Sequence, residues 1–589
     1  MTNRNLAILA LLSAATLCSV ARAQSTQPTP LRAAIDMPML TDPAIIDATP
    51  VVVVHPRQFD VWLEALARPE PDLQRNAADA FAHAARRGIA GIGDKASPAL
   101  RKTLSTAKDP LVIHACIRAL AALDDRTASD LMLQHASSTS VDTVLTIDAA
   151  LAHWQHAPAR AVWLKRATDI RASRQVRISA FNALAQQRDA SAAAPARSVL
   201  HAPQDALAVR LAAAQALAAA TADTVDDAQK LLRDERSPLH AQLLAVYALQ
   251  SARGTAAEAL LLTLGRTGDP AVQAMAIDRL TNLSPAATAP LTKTAATHRD
   301  TTVRRAAARA LAAQKTGDAV AALIALLGDI DPTVRALSKS ALIAADADTT
   351  LRPLVRDSLL TTLEATSPNA QQEAALVLGK LQERRAAAAL LNMLTHNDRD
   401  SRIAAAVALR WLGEPAHAAP LLAHAQKLAA DIRAGNVRQQ RAAANVELSQ
   451  LIQSLGSLGH APASPLLLEL LPKDAPFDAA PRQAACWAIG KIPPEHITPA
   501  AIAALSSRAG DNDIRNPESD DVRTTATIAL ARTKAPTVLP LLRKLAADEL
   551  TPRSVQVTVR WGIHHLTGTW PAPLPPRETQ PTDLFLEPR

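Results

Sequence analysis

The stretch DTTVRRAAARALAAQKTGDAVAALIALLGDIDPTVRALSKSALIA, residues 300–344, decides the fold. Asp300 and Asp331 each precede a run of apolar residues at helical spacing, where a carboxylate can accept hydrogen bonds from the free amides of the first turn. Pro332 follows the capping residue Asp331, at a position where a backbone amide would have no hydrogen-bond partner within the helix. A break at Gly317 and Asp318 separates the two apolar runs. We therefore predict two short helices that together form one unit.

This unit recurs along most of the chain. The phrase around Val303 returns at Val334, 31 residues later, and self-similarity at such a period is typical of stacked repeats. Hydrophobic residues make up 48% of the chain and aromatic residues only 2%, so small side chains would let the helices approach closely. We predict an all-α solenoid of about fifteen helix pairs around one continuous core. The aligned starts of the second helices are Leu73, Val112, Thr143, Val176, Val209, Ala241, Val272, Val303, Val334, Ala370, Ser401, Gln440, Pro481, Val522 and Val555.

The phrases DTTVRRAAARAL, from Asp300, and DPTVRALSKSAL, from Asp331, resemble the HEAT-like repeats of the type named after phycobilisome lyases, here in a secreted bacterial form. The resemblance covers about residues 59–567. It implies an α-solenoid but leaves function open, because such repeats occur in bilin lyases, scaffolds and adaptors. We expect a non-catalytic scaffold that binds another protein. The alternative is a lyase-like or chaperone-like factor acting on a cofactor-bearing protein.

The N-terminus has the pattern of a secretory signal. Arg4 precedes an apolar run over residues 6–17, and Ala21-Arg22-Ala23 has the small residues of a cleavage site. A membrane anchor is the alternative, but the run is shorter than the ~20 residues that span a bilayer. We predict a signal peptide over residues 1–23, a mature protein that begins at Gln24, and a periplasmic or extracellular location.

Two further segments flank the repeats. Residues 24–58 are rich in Pro and Thr and predict an extended arm, whose β-branched run TPVVVVHP has no evident strand partner nearby. Residues 568–589 form a Pro-rich tail, and the spacing of its prolines disfavours a helix. Trp570, between Thr569 and Pro571, is the tryptophan that we expect to be exposed.

Charge and cysteine content restrict the classes of partner. The formal net charge of +8 falls to about +6 when Arg4 and Arg22 leave with the signal peptide. This mild excess is compatible with an acidic partner or an anionic surface and gives no reason to expect nucleic acid. Cys116 and Cys486 lie on apolar helix faces. We predict that both are buried, unpaired thiols.

The sequence carries no catalytic or metal-binding motif. Gly-x-Ser-x-Gly, His-Glu-x-x-His and Cys-x-x-Cys-His are missing, and none of the sixteen histidines precedes a glutamate as the di-iron site of the deoxyhypusine hydroxylases would require. No Cys or carboxylate completes a ligand set around the paired histidines 153 and 156 or 417 and 424. We expect no cofactor, no metal and no enzymatic activity.

An arginine recurs just after the start of the second helix. In three units an aspartate stands four residues earlier, at Asp300, Asp331 and Asp398, which predicts ion pairs along one helix face. The arginines form either a structural ladder between repeats or an anion-binding stripe. They are Arg177, Arg210, Arg304, Arg335, Arg402, Arg441, Arg482 and Arg523.

The longest repeats predict where a partner binds. Three of the four longest spacings fall between Ser401 and Val522, where the extra residues add no obvious core. We interpret residues 427–441 and 506–521 as two connections on one face, although tolerated surface insertions would give the same pattern. The candidate partner-binding residues are Lys427, Arg433, Arg438 and Arg441 on the basic connection, Asp511 and Asp513 with Glu518, Asp520 and Asp521 on the acidic one, and Trp570.

Overall fold

The computed structural model describes residues 36–45, 47, 51–52, 56–89, 91–137, 140–511, 513 and 515–579. The predicted signal peptide, residues 1–23, lies outside the described residues. The predicted domain boundaries therefore stay predictions at both ends of the chain.

The described residues contain 31 α-helices: a short helix α1 (Pro38–Thr41) and fifteen helix pairs. The first helices of the pairs are α2 (Pro56–Ala67), α4 (Ile92–Thr106), α6 (Ser129–Gln134), α8 (Ala159–Thr168), α10 (Ala193–Leu200), α12 (Val225–Asp234), α14 (Thr255–Thr267), α16 (Ala289–Ala296), α18 (Gly317–Leu326), α20 (Arg352–Thr362), α22 (Ala387–Met393), α24 (Ala418–Ala434), α26 (Ser464–Leu470), α28 (Pro499–Ala509) and α30 (Val538–Ala547). The second helices are α3 (Pro71–Arg86), α5 (Pro110–Ala122), α7 (Val141–His153), α9 (Arg174–Gln187), α11 (Leu207–Ala220), α13 (Pro238–Ala248), α15 (Pro270–Leu283), α17 (Thr301–Gln314), α19 (Pro332–Ala345), α21 (Pro368–Lys380), α23 (Arg399–Leu412), α25 (Arg441–Ser457), α27 (Ala479–Ile489), α29 (Asp520–Thr533) and α31 (Arg553–Thr567).

The predicted all-α solenoid is confirmed. Fourteen of the fifteen aligned positions lie within the first four residues of a second helix, and Gln440 directly precedes α25. The fold therefore follows from the apolar periodicity and the caps that the sequence shows.

Aspartate caps begin the second helices as predicted. The Asp331 carboxylate accepts hydrogen bonds from the amides of Thr333 and Val334, each at 3.0 Å. Asp300 accepts one from the Thr302 amide at 2.8 Å. The hydroxyl and amide of Thr302 hold the pKa of Asp300 below its ordinary value, against the opposing effect of burial. Each carboxylate thus satisfies an amide that has no partner within its helix.

Neighbouring second helices pack almost backbone to backbone. A Cβ added to Gly456 in α25 would lie 2.8 Å from the Cα of Ala488 in α27, and one added to Gly490 would lie 2.8 Å from the Cα of Ala529 in α29. Real Cβ atoms do not approach another backbone so closely. The Gly and Ala content of the chain therefore sets the close spacing of the second helices.

The described chain divides into two compact units, which we treat separately. The eight-pair unit comprises residues 46–315 and 573–579 and contains the pairs from α2 to α17. The seven-pair unit comprises residues 36–45 and 316–572 and contains α1 and the pairs from α18 to α31. Within the described residues, no helix combines the length and the apolar character that crossing a membrane requires.

A short strand pair corrects one expectation. In the eight-pair unit, β1 (Val51–Val52) pairs in parallel with β2 (Glu578–Thr579). The sequence predicts no partner near the β-branched run, and the partner strand comes instead from the tail at the other end of the sequence.

Cys116 and Cys486 are buried and unpaired, as predicted. Burial raises the pKa of the Cys116 thiol to about 12 and also raises that of Cys486. Protonated, buried thiols of this kind act as small hydrophobic side chains.

Candidate protein-binding edge

The recurring arginines connect consecutive repeats in the seven-pair unit. Arg402 in α23 donates to the carbonyl oxygens of His396 at 2.8 Å and Asn397 at 3.1 Å, in the connection that precedes its own helix. Its other nitrogens donate to both oxygens of Glu447 in the next repeat, at 2.6 and 2.7 Å. We call this arrangement a rung: an arginine of a second helix, carbonyls of its own repeat and a carboxylate of the following repeat.

The same arrangement is found at four other arginines. The Arg335 guanidinium contacts the carbonyl of Asp329 and the carboxylate of Glu373, and Arg482 contacts the carbonyl of Phe477 and the carboxylate of Glu518. In the eight-pair unit, Arg177 and Arg210 each keep only 6% of their side chain exposed. Their carboxylate partners, and the carbonyl that each contacts, are Asp205 with Ala167 and Glu235 with Leu200.

This geometry favours the structural ladder over the anion-binding stripe. Guanidinium groups that already hold a carboxylate and backbone carbonyls have little capacity left for a ligand. The ion pair predicted within α23 is wrong, because Asp398 instead caps the helix through Ser401 and accepts from Gln372, while Arg402 pairs with Glu447. A capping carboxylate points at the amides of the first turn and away from a side chain four residues later.

Residues 427–441 differ from the predicted connection. Residues 427–434 continue α24, which is 17 residues long and ends at Gly435 in the left-handed conformation. Ala425, Ala429 and Ile432 extend its buried face. The prediction of a long loop is wrong here, because helical apolar spacing continues through the insertion and only residues 435–440 connect α24 to α25.

The basic side chains at this end of α24 are largely exposed. Arg433 pairs with Glu469, and Arg441 lies 3.8 Å from Asp478 with half of its side chain exposed. Lys427 and Arg438 are also exposed, and neither side chain has an ion-pair partner in the described part of the chain. Two cations at this surface therefore lack a carboxylate partner among the described residues.

Two of the five carboxylates in the predicted acidic connection are paired within the protein. Glu518 has only 1% of its side chain exposed and pairs with Arg482 at 3.2 Å and Arg508 at 3.1 Å. Asp511, 7% exposed, pairs with Lys473 at 2.7 Å. Burial acts to raise the pKa of Asp511, but this ion pair and hydrogen bonds from backbone amides outweigh it and lower the pKa.

The expectation of an acidic surface therefore needs correction. Asp511 and Glu518 serve to fold residues 510–519, and Asp513 remains half exposed, 3.5 Å from Lys473. Asp520 and Asp521 are exposed in the first turn of α29. Sequence alone counts charges, but it does not show which carboxylates turn inward.

The structure brings the two candidate connections together through a third. The Arg441–Asp478 contact joins residues 435–441 to residues 472–478, and the Lys473 ammonium donates to the carbonyl of Asn516 at 2.6 Å in residues 510–519. We call these three connections, with the end of α24 from Lys427, the basic edge. It is one contiguous surface of the seven-pair unit.

Trp570 is exposed, as predicted, with 58% of its surface accessible. Its ring stacks on His564 with centroids 4.1 Å apart. In the described part of the chain the ring makes no contact with the basic edge, so the structure does not join Trp570 to the other candidate residues.

Sequence reasoning missed the carboxylates of the rungs. Glu373 and Glu447 lie inside second helices, whereas Asp205 and Glu235 lie in connections. Because the partner has no constant offset from its arginine, an alignment of repeats could not identify it. For Asp205, Glu373 and Glu447 the available signal was an isolated acidic residue within an otherwise uncharged stretch, whereas Glu235 lies in a run of charged residues and offered no such signal.

Histidines take structural roles in the same unit. The ring of His424 lies 3.0 Å from the carboxylate of Glu447, beside Arg402. Among the described residues, no group of three or more His, Cys, Asp or Glu side chains could hold a metal ion.

Stacked helix pairs joined by inter-repeat ion pairs define an α-solenoid of the kind that presents extended surfaces to other proteins. A family model described as HEAT repeats matches residues 59–152, 257–343 and 356–442. These three stretches thus carry HEAT repeats, and similar paired helices continue outside them.

The chain also aligns with solved structures at low sequence identity. The chain aligns with the Kap95:Nup1 complex at 13% identity, covering 87% of this chain and 84% of that one, with a TM-score of 0.46. Yeast importin-β (Kap95p) aligns at 12% identity over 86% of this chain and 80% of that one, with a TM-score of 0.41. Human deoxyhypusine hydroxylase aligns at 21% identity over 44% of this chain and 98% of that one, with a TM-score of 0.21. No curated protein matches the sequence significantly.

Proposed function

We propose that this protein is an exported, non-catalytic scaffold that binds an acidic partner protein in the cell envelope through the basic edge. Helical-repeat surfaces favour extended protein–protein contacts. Export is inferred from Arg4, the apolar run over residues 6–17 and the cleavage pattern at Ala23. The assignment of the repeats to the type named after phycobilisome lyases rests on the resemblance of the phrases from Asp300 and Asp331 to that type.

One observation carries the proposal. Within the basic edge the carboxylates of Asp511 and Glu518 are paired internally, whereas Lys427 and Arg438 are exposed, with no carboxylate partner among the described residues. Residues 427–441, with four basic side chains against the single carboxylate of Asp431, are the positive part of this surface. Complementary charge steers association and rejects partners of like charge, so the expected partner presents an acidic surface.

Charge reversal tests the proposal. The double variant Lys427→Glu/Arg438→Glu is expected to retain its helical content and thermal midpoint, because neither side chain holds another part of the protein. Its capture of the native partner from envelope extract, quantified by mass spectrometry, is expected to fall by about tenfold or more.

The matched control is Lys230→Glu/Arg233→Glu, two exposed basic residues on α12 of the eight-pair unit. It makes the same change in net charge. A protein whose capture falls with both variants binds through nonspecific charge and not through the basic edge. Undiminished capture by the edge variant would reject the basic edge as the binding surface.

A further inference from the structure

A segment of the N-terminal arm lies in a groove of the seven-pair unit. The backbone amide of Met39 donates to Gln453 of α25 at 3.4 Å, and the Met39 side chain is 6% exposed. The Trp487 indole of α27 donates to the carbonyl of Asp42 at 3.2 Å. We call residues 36–42 the docked segment.

Carboxylates fix both ends of the docked segment. Asp36 pairs with Arg410 of α23, and Asp42 pairs with Lys491 at 3.0 Å and with Arg532 of α29 at 2.7 Å. The pKa of Asp42 is lowered because its two cationic partners outweigh the effect of burial. The groove therefore binds two carboxylates, six residues apart in sequence, with an apolar side chain between them.

The groove is built from the C-terminal ends of successive second helices. Arg410 lies near the end of α23, Lys491 follows α27 and Arg532 lies near the end of α29. Gly456 and Gly490, which have no Cβ atom, allow these helices to pack close together. Arg410 and Arg532 are thus fixed on helices, and Lys491 lies two residues after the end of one.

The docked segment does not use the full donor capacity of the groove. Arg410 has only 3% of its side chain exposed, yet its Nη1 group has no hydrogen-bond partner among the described residues, and neither has Nη1 of Arg532. A buried guanidinium binds a carboxylate best through two parallel hydrogen bonds. A buried donor without an acceptor is costly. These two unpaired groups therefore indicate a site that can hold carboxylates better than its own segment does.

We propose that this groove is a binding site for an acidic segment of a partner protein, with two carboxylates about six residues apart around an apolar residue, and that the docked segment is its intramolecular competitor. A tethered competitor acts at an effective concentration of about millimolar. Binding in trans thus requires displacement of residues 36–42. The inference rests on the proposed function only in that the partner is a protein. The groove residues differ from Lys427 and Arg438.

The test uses the full chain and a fluorescent peptide of the sequence DMPMLTDPAI, residues 36–45. The variant Asp36→Lys/Asp42→Lys places positive charge against Arg410, Lys491 and Arg532 and should free the groove. Fluorescence anisotropy is expected to show peptide binding at least about tenfold tighter to this variant than to the unmodified chain. A control peptide with both aspartates replaced by asparagine is expected to bind at least about tenfold more weakly than the acidic peptide.

Four outcomes would overturn the proposal. Equal affinity of the variant and the unmodified chain would show that the segment does not compete, and equal affinity of both peptides would show that the carboxylates are not recognised. A lower melting temperature without any peptide binding would make the segment a structural part of the unit. Concentration-dependent dimers of the unmodified chain that disappear in the variant would assign the groove to a second copy of this chain.

The edge variant Lys427→Glu/Arg438→Glu separates this inference from the proposed function. It is expected to leave peptide binding unchanged when combined with Asp36→Lys/Asp42→Lys. Failure of the edge experiment alone would not contradict the proposal for the groove. Failure of the peptide experiment alone would not contradict the proposal for the basic edge.

Discussion

Replacing Glu447 by alanine is expected to lower the free energy of unfolding by about 3 to 5 kcal/mol, the usual cost of removing one partner of a buried ion pair. Glu447 keeps only 2% of its side chain exposed and accepts from both Arg402 and His424. Burial acts to raise its pKa, but these two partners outweigh burial and lower it. Without the carboxylate, the Arg402 guanidinium stays partly buried with only carbonyl partners.

Urea denaturation followed by circular dichroism measures this loss. The control is Glu364→Ala, an exposed glutamate of the same unit, for which a change within about 0.5 kcal/mol is expected. A loss below about 1 kcal/mol for Glu447→Ala would contradict the role of the rung.

The second large effect is a loss of stability in acid through Glu383. Hydrogen bonds from Arg385 and Arg356 lower the pKa of this carboxyl from 4.5 to about 2, although burial opposes them. Glu383 is 7% exposed. Because the folded pKa lies below the unfolded one, the stabilisation is complete above about pH 4.5 and is lost as the pH falls towards 2. The shift corresponds to about 3 kcal/mol.

Glu383→Gln isolates this contribution. Between pH 5 and pH 2, amides of α20 to α22 in the unmodified chain are expected to lose about 3 kcal/mol more protection from hydrogen exchange than those of the variant. Parallel loss of protection in the two proteins would show that Glu383 is not the group responsible.

Much of the fold could be predicted from local sequence. Val303 and Val334 mark equivalent positions because each follows an aspartate cap and begins an apolar stripe, and both signals act within one or two helical turns. The continuation of α24 was equally local, since Ala429 and Ile432 keep the helical spacing up to Gly435. It was missed because the unusual length of the repeat suggested a loop.

The contacts of the N-terminal arm could not be predicted in this way. Asp42 and Arg532 are 490 residues apart, and Asp36 and Arg410 are 374 apart. Periodicity within a repeat carries no information about which distant segment covers its surface.

The basic edge could be predicted only in part. The positions of Lys427 and Arg438 followed from repeat length. The inward orientation of Glu518 could not be predicted, because it depends on Arg482 and Arg508 from other elements.

The central claim is that the basic residues divide into rungs, which hold the repeats, and the basic edge, which binds the partner. The dissociation constant of the captured partner, measured for purified variants by isothermal titration at one salt concentration, tests this claim most directly. We predict that Glu447→Gln lowers stability and leaves the dissociation constant unchanged, while Lys427→Glu/Arg438→Glu leaves stability unchanged and weakens binding about tenfold or more. Weakened binding by the rung variant together with unchanged binding by the edge variant would contradict the account.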